Sequence, residues 1–209
     1  MEIQRINAYE DGRFEPEILR QHGAFLVDGN PCSFRILDGN SAKVYYHDYT
    51  DMEEILDTFR FYTGHISRFY TEDGCLLKEY EDVRVFDLPI GQIQPSQFYV
   101  DQEKLQAVGS FIRCPEDIVI PVLEHEGRYV SADGHTRLCL AHRRGYDHVR
   151  AFLERDAGGY LLEFVREAQG RGIFHVEDME MLSHEEYEVK WNRFCEDFFA
   201  GFLSDESGV

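Results

Sequence analysis

The sequence predicts an α+β protein, and three observations carry that expectation. Between residues 23 and 46, short runs of alternating side chains are punctuated by Asp28-Gly29 and Asp38-Gly39, a hairpin signature. From residue 83 onward, strand-like and helix-like patterns alternate. The tail, "YLLEFVREAQG" and then "HEEYEVKWNRFCEDFFAGFL", keeps a helical period.

Taken in order, "GAFLV", "CSFRIL" and "AKVYY" read as hairpin strands. Asp51 stands where it could cap a helix over "MEEILDTFRFYTGH", which puts Ile55, Phe59 and Tyr62 on one stripe. "ISRFY", Glu72-Asp73-Gly74 and "CLLKEY" make a further hairpin, so residues 1–80 are expected to form a small α+β unit. "VRVFDLPI" alternates as a strand, and Pro95-Ser96 begins a turn before a helix over 101–113. Leu105, Val108 and Ile112 share one face of that helix. "DIVIPVL" is apolar almost throughout, as in a strand covered on both faces. Glu126-Gly127 turns the chain into "RYVSA", and Gly145 ends the helix that follows. Residues 81–155 then form a second domain, with the helical segment 156–209 packed on it. The aromatic stripe Tyr187, Trp191, Phe194, Phe198 and Phe202 reads as core or as a subunit interface, and a homodimer through the C-terminal helix is the expected form of self-association. No internal repeat is apparent.

The 209 residues include 40 acidic and 21 basic side chains, a formal charge of −19. Such a surface repels the nucleic-acid backbone, whose non-specific binding depends on Lys and Arg, so a DNA partner is not expected. Anionic membranes are disfavoured for the same reason, and no apolar run is long enough to span a bilayer. The N-terminal residues lack a signal-peptide hydrophobic region. Five scattered cysteines, at 32, 75, 114, 139 and 195, form no CxxC pair, which fits reduced thiols in a cytoplasmic protein.

The chemistry concentrates in "YVSADGHTRLCLAHRRGY", residues 129–146, where a strand hands over directly to a helix. Amide groups at a helix N-terminus lack intrahelical partners and favour an anion. Gly134 lets the backbone approach a ligand, Thr136 adds a hydroxyl, and Arg137 adds a planar cationic fork suited to two phosphate oxygens. His135 could donate a hydrogen bond or move a proton, and Asp133 suits a metal–phosphate complex or a hydroxyl-bearing substrate. The same residues also allow a structural reading. Asp-Gly is a common turn, Asp133 is a candidate helix cap, and Arg137 has many acids to pair with. Both readings stay open on these residues alone.

Read with its surroundings, the stretch resembles the ParB/sulfiredoxin-like superfamily. The resemblance runs over residues 83–154: "RVFDLPIGQIQPSQF", the helix "DQEKLQAVGSFI", "DIVIPVLEHEG", "RYVSADGHTR", a helix, Gly145 and "HVRAFL". It implies an α/β core whose glycine-containing turn binds phosphate. Sulfiredoxins carry a catalytic cysteine just before a His-Arg pair. Here Cys139 lies beyond Arg137 and no cysteine stands within 133–137, which argues against that activity. Partitioning ParB proteins show Gly-Glu-Arg-Arg at the turn, against Gly-His-Thr-Arg here. The form Asp-Gly-His-x-Arg is that of nucleotide-dependent kinases of free serine. By that resemblance Asp133, His135 and Arg137 would be catalytic and Asp133 would meet magnesium. Gly134, His135, Thr136 and Arg137 would hold the phosphates of ATP, ADP or CTP. Those kinases place a glutamate base shortly after a proline; the matching place here, after Pro95, holds Gln97, which cannot accept a proton as a carboxylate does. Asp101 and Glu103 are nearby but belong to the next helix. The expected function is thus nucleotide or phosphate binding, with a magnesium-dependent phosphotransferase or nucleotide hydrolase as its catalytic form. A non-catalytic binding or assembly protein is the alternative.

His142 follows His135 by two helical turns, a weak pattern for zinc without a third ligand, and neither zinc nor haem is expected. Arg143-Arg144 reads as a solvated helix C-terminus, and Phe98 and Tyr99 as packing rather than a ligand cover.

Overall fold

Asp28 and Gly29 adopt φ values of 48° and 80°, both in the left-handed region, and Val27 pairs with Asn30 across them. Two consecutive positive φ values in a two-residue loop match the right-handed twist of the strands they join. The structure, a computed structural model, describes residues 1–8, 10–50, 52–154 and 159–206, with side chains as far as residue 200. The expected cap Asp51, the domain boundary expected at 155 and the side chain of Phe202 lie outside the described residues. The chain divides into two compact units, Met1–Val85 and Phe86–Val209, and its helices and mixed sheets make it an α+β protein.

The first unit comprises β1 (Ile3–Arg5), α1 (Pro16–Arg20), β2 (Ala24–Val27), β3 (Asn30–Ile36), β4 (Ser41–Tyr45), α2 (Glu53–Tyr62), β5 (Arg68–Tyr70) and β6 (Leu76–Glu79). Its six strands lie side by side in chain order. Neighbours are antiparallel except β4 and β5, which run parallel and therefore need a crossover; α2 supplies it. β1 and α1 are too short for periodicity to reveal them. Phe25, Phe34, Phe59 and Phe69 are fully buried between sheet and helix, and Phe34 stacks on Phe59 with centroids 4.2 Å apart. Phe59→Leu keeps an apolar side chain but loses that stack and its edge contacts, so urea denaturation is expected to show a loss of about 1–2 kcal/mol.

The second unit begins with β7 (Val85–Pro89), β8 (Ile93–Pro95), β9 (Tyr99–Asp101) and α3 (Gln102–Gly109). It continues through β10 (Val119–His125), β11 (Arg128–Ser131), α4 (His135–Arg143), β12 (His148–Leu153) and α5 (Tyr160–Gly170). β13 (Glu180–Leu182), α6 (His184–Tyr187), a five-residue π-helical turn and α7 (Arg193–Glu206) complete it. One sheet runs β7-β12-β10-β11-β8; β10 is parallel to β12 and antiparallel to β11, and β11 is parallel to β8. β11 and β12 flank β10 on opposite sides, and α4 is the crossing between them. β9 and β13 form a separate parallel pair.

Burial along β10 differs from the expectation of two fully covered faces. Ile118, Ile120 and Val122 are fully buried, whereas Val119, Pro121 and Leu123 are only half-buried. That second face lies partly under α5, where Leu123 packs with Val130, Leu161 and Val165. Gly145 ends α4 as expected: its amide donates to His142 and that of Tyr146 to Ala141, the paired bonds of a Schellman motif. Arg144, expected in solvent, instead donates to the Gly109 and Ile112 carbonyls at the end of α3.

A local repetition also emerges that the sequence reading misses. Asp117 and Asp178 each close a short 3-10 turn leading into a strand, and each Oδ2 accepts from two successive backbone amides before that turn. The C-terminal aromatic stripe packs within the unit: Trp191 and Phe194 lie 5.0 and 4.9 Å from Phe98, and 5.9 and 5.6 Å from Phe164. Among the described residues no helix is long and apolar enough to cross a membrane.

Candidate functional site

β11 ends at Ser131 and α4 starts at His135, so Ala132, Asp133 and Gly134 form the whole turn between a sheet strand and a helix. Gly134 occupies the N-cap position with φ 86°, and as a glycine it supplies no capping side chain. The first intrahelical bond runs from the Leu138 amide to the Gly134 carbonyl at 2.9 Å, so the amides of His135, Thr136 and Arg137 precede the hydrogen-bonded ladder. Gly134 is required on two grounds: the left-handed φ, and a Cβ that would stand 2.6 Å from Cγ2 of Ile120.

The five residues of the motif divide by direction. Asp133 is exposed and Thr136 half-buried. The Arg137 side chain, 20% exposed, lies across the turn: one guanidinium nitrogen donates to the Val119 carbonyl at 2.9 Å, and another is 3.5 Å from the Asp133 carboxylate. Nitrogens of the guanidinium also line the space beside Gly134. Arg137, Asp133 and the helix amides therefore share one face.

His135 does not join them; its ring turns inward and is buried. Its Nε2 accepts from the amides of Ser96 and Gln97, both at 3.2 Å, and lies 2.9 Å from Oγ of Ser131. Two backbone donors aimed at Nε2 require that nitrogen to be unprotonated, so the proton of the neutral ring sits on Nδ1. Burial is the main cause that holds the imidazole down to about 4; nearby Arg137 pushes the same way and Asp133 opposes. The ring expected at a phosphate is instead a neutral buried clip joining β11, α4 and the segment after β8.

That clip brings the Pro95–Gln97 segment to the turn, the two stretches that the sequence resemblance assigns to one site. β8 lies beside β11, with Pro95 paired to Ser131, which sets the proximity. Gln97 is committed inside the unit: its side-chain amide donates to the Tyr99 carbonyl and to the Tyr187 hydroxyl at 3.2 Å. Phe98 is fully buried under Arg171, whose guanidinium is 4.3 Å from the ring centroid.

A second pair of ionisable groups lies further along the same segment. Asp101 is buried and caps α3, its Oδ1 accepting from the Glu103 and Lys104 amides at 2.8 and 3.3 Å. Its Oδ2 is 2.7 Å from Nδ1 of His184. Burial alone drives the Asp101 carboxyl upward, but the His184 hydrogen bond and the two helix amides outweigh it, and the net shift is down. His184 is raised, first by its bond to Asp101. The carboxylate before "QEKL" is an N-cap signal readable in sequence, but its histidine partner lies 83 residues away.

His142 is exposed and 3.9 Å from Glu177, apart from the inward-turned His135. Among the described residues no group of three or more His, Cys, Asp or Glu side chains is arranged to hold a metal ion. In the first unit an open groove beside α2 carries Asp28, Asp48, Glu53 and Asp57. These carboxylates already accept from the Glu2 amide, the Thr50 amide, Lys78 and the Tyr80 hydroxyl, respectively.

No protein-family model matches the chain, and no curated protein matches it. Among solved structures it is similar to the crystal structure of protein Atu1540 from Agrobacterium tumefaciens, at 17% identity and a TM-score of 0.35. The similarity covers 47% of this chain and 62% of that one.

Proposed function

We propose that the second unit binds a phosphate-bearing ligand, a nucleotide in its fullest form, on the outer face of the Asp133–Arg137 turn. The observation that carries this reading is an α4 N-terminus opened by a glycine N-cap, with the Arg137 guanidinium lying beside it. A phosphate there would accept from the leading amides and take Arg137 from its loose contact with Asp133. Thr136 stands beside the same amides as a further donor. The resemblance to ParB/sulfiredoxin-like proteins points to the same turn. The charge of −19 supports a small ligand over DNA, and five free cysteines fit a reducing, cytoplasmic setting.

Binding without turnover is the favoured form. Gln97 offers no carboxylate base, and the inward, neutral His135 acts by positioning Ser96 and Gln97. The phosphotransferase or nucleotide-hydrolase reading draws on Asp133, the exposed carboxylate beside Arg137. Asp133 would hold a magnesium ion arriving with the phosphates, and such an ion supplies charge neutralisation between phosphate oxygens.

Thermal unfolding with ATP, ADP, CTP and GTP, with and without magnesium, tests the site. A ligand at 100 times its Kd adds about 2.7 kcal/mol to the native state and raises Tm accordingly. Arg137→Ala is expected to abolish that rise. A folded Arg137→Ala protein that keeps the full rise would refute the assignment, and release of phosphate from a bound nucleotide would replace binding with catalysis.

A further inference from the structure

The last part of the second unit closes on the segment that holds His135, at three points. β13 pairs in parallel with β9, Glu180 to Tyr99 and Leu182 to Asp101. The Tyr187 hydroxyl meets the Gln97 side chain at 3.2 Å, and the Lys104 ammonium lies 4.7 Å from the Tyr187 ring centroid. Between them His184, 44% exposed, meets the buried Asp101 carboxylate at 2.7 Å. The same carboxylate caps α3, so a single buried group ties the start of that helix to the start of α6.

We infer that residues 180–191 form a pH-sensitive clasp on the 96–104 segment, latched by the His184–Asp101 ion pair. A buried carboxylate that loses its charged partner keeps its desolvation cost and loses the compensation. The acids facing His184 agree in sign: Asp101 from the end of β9, Glu103 from α3, and Glu188 one turn further along its own helical run. Lys104, the nearby cation on α3, faces the Tyr187 ring. His184 is raised from 6.5, so the latch is complete below pH 6.5 and is lost as pH rises through the higher value in the folded protein. Asp101 is lowered from 3.8, so at the acid end the latch survives until pH falls through that lower value. Opening frees the Gln97 side chain, next to the two amides that hold His135. That link from clasp to anion turn rests on the function proposed above; the clasp itself does not.

Trp191 is the single tryptophan and packs on Phe98 at the clasp, so its fluorescence reports closure without any ligand. Acrylamide quenching of the full chain is expected to increase from pH 6 to pH 9 while far-UV circular dichroism stays constant. His184→Gln, at a side chain exposed enough to tolerate it, is expected to lose the pH dependence and quench at the high-pH level throughout. Asp101→Asn, which retains a capping side chain, is expected to do the same. PH-independent quenching in the wild type, or an unchanged pH profile in either folded variant, would overturn the clasp. A pH-dependent clasp in a protein that binds none of the four nucleotides would refute the proposed function and leave the clasp standing.

Discussion

His135→Ala is expected to unfold in urea with about 3–5 kcal/mol less stability than the wild type at pH 7, the larger part from stranding the Ser96 and Gln97 amides at about 1–3 kcal/mol each and the rest from the emptied ring site. The acceptor is a single atom, Nε2, and apolar replacements of similar size cannot reproduce it. The same ring fixes a pH dependence. Folding holds His135 down to about 4 from 6.5, so between those values the unfolded chain takes up a proton that the folded chain refuses. Stability conferred on the neutral form is therefore full above pH 6.5 and falls as pH drops, by about 3 kcal/mol when pH 4 is reached. His184 works in the opposite sense above 6.5, so the two histidines together place the optimum near neutrality. Urea titrations at pH 7 and pH 4.5 check this. The gap between wild type and His135→Ala should narrow at the lower pH, and a constant gap would show that the imidazole is not held neutral.

Gly134→Ala is expected to cost about 2–5 kcal/mol, from about 1–2 kcal/mol for a left-handed alanine and about 1–3 kcal/mol for overpacking. The severe overlap is with Cγ2 of Ile120, at 2.6 Å from the new Cβ, while the end of the flexible Arg137 side chain follows at 3.3 Å. Ile120→Ala removes that atom, so in its background the Gly134→Ala penalty should shrink to the backbone part, about 1–2 kcal/mol. A penalty below about 0.5 kcal/mol in the parent, the range of ordinary surface changes, would mean that the turn is not built as described. Because Ile120 lies on the central strand β10, the turn's shape is tied to the core as well as to any ligand.

The strand-to-helix turn was legible in sequence as a place; its inner and outer faces were not. Asp133 is exposed with the Arg137 side chain beside it, and Pro95–Gln97 lies next to the turn. His135 goes the other way. Nothing local to "DGHTR" distinguishes an outward imidazole from an inward one, since either rotamer is available at the first position of a helix. The decision belongs to Ser96 and Gln97, which lie 39 and 38 residues earlier and reach the ring only because β8 pairs with β11. The same holds for Asp101. Its cap on α3 can be read from the chain around it, whereas its pairing with His184 cannot. The short elements β1, α1, β8 and β13 escaped because three to five residues carry too little period to see.

By itself the sequence determined the local backbone. Asp28-Gly29, Glu126-Gly127, Gly134 and Gly145 turn where they do because a positive φ is a property of a residue and its immediate neighbours. It also determined the amphipathic stripe of α2, since burying Ile55 and Phe59 follows from their spacing. Only the tertiary structure decided which polar side chains become internal connections. His135, Gln97 and Asp101 are oriented by partners distant in the chain, and a buried polar atom must point toward whatever long-range packing supplies to satisfy it.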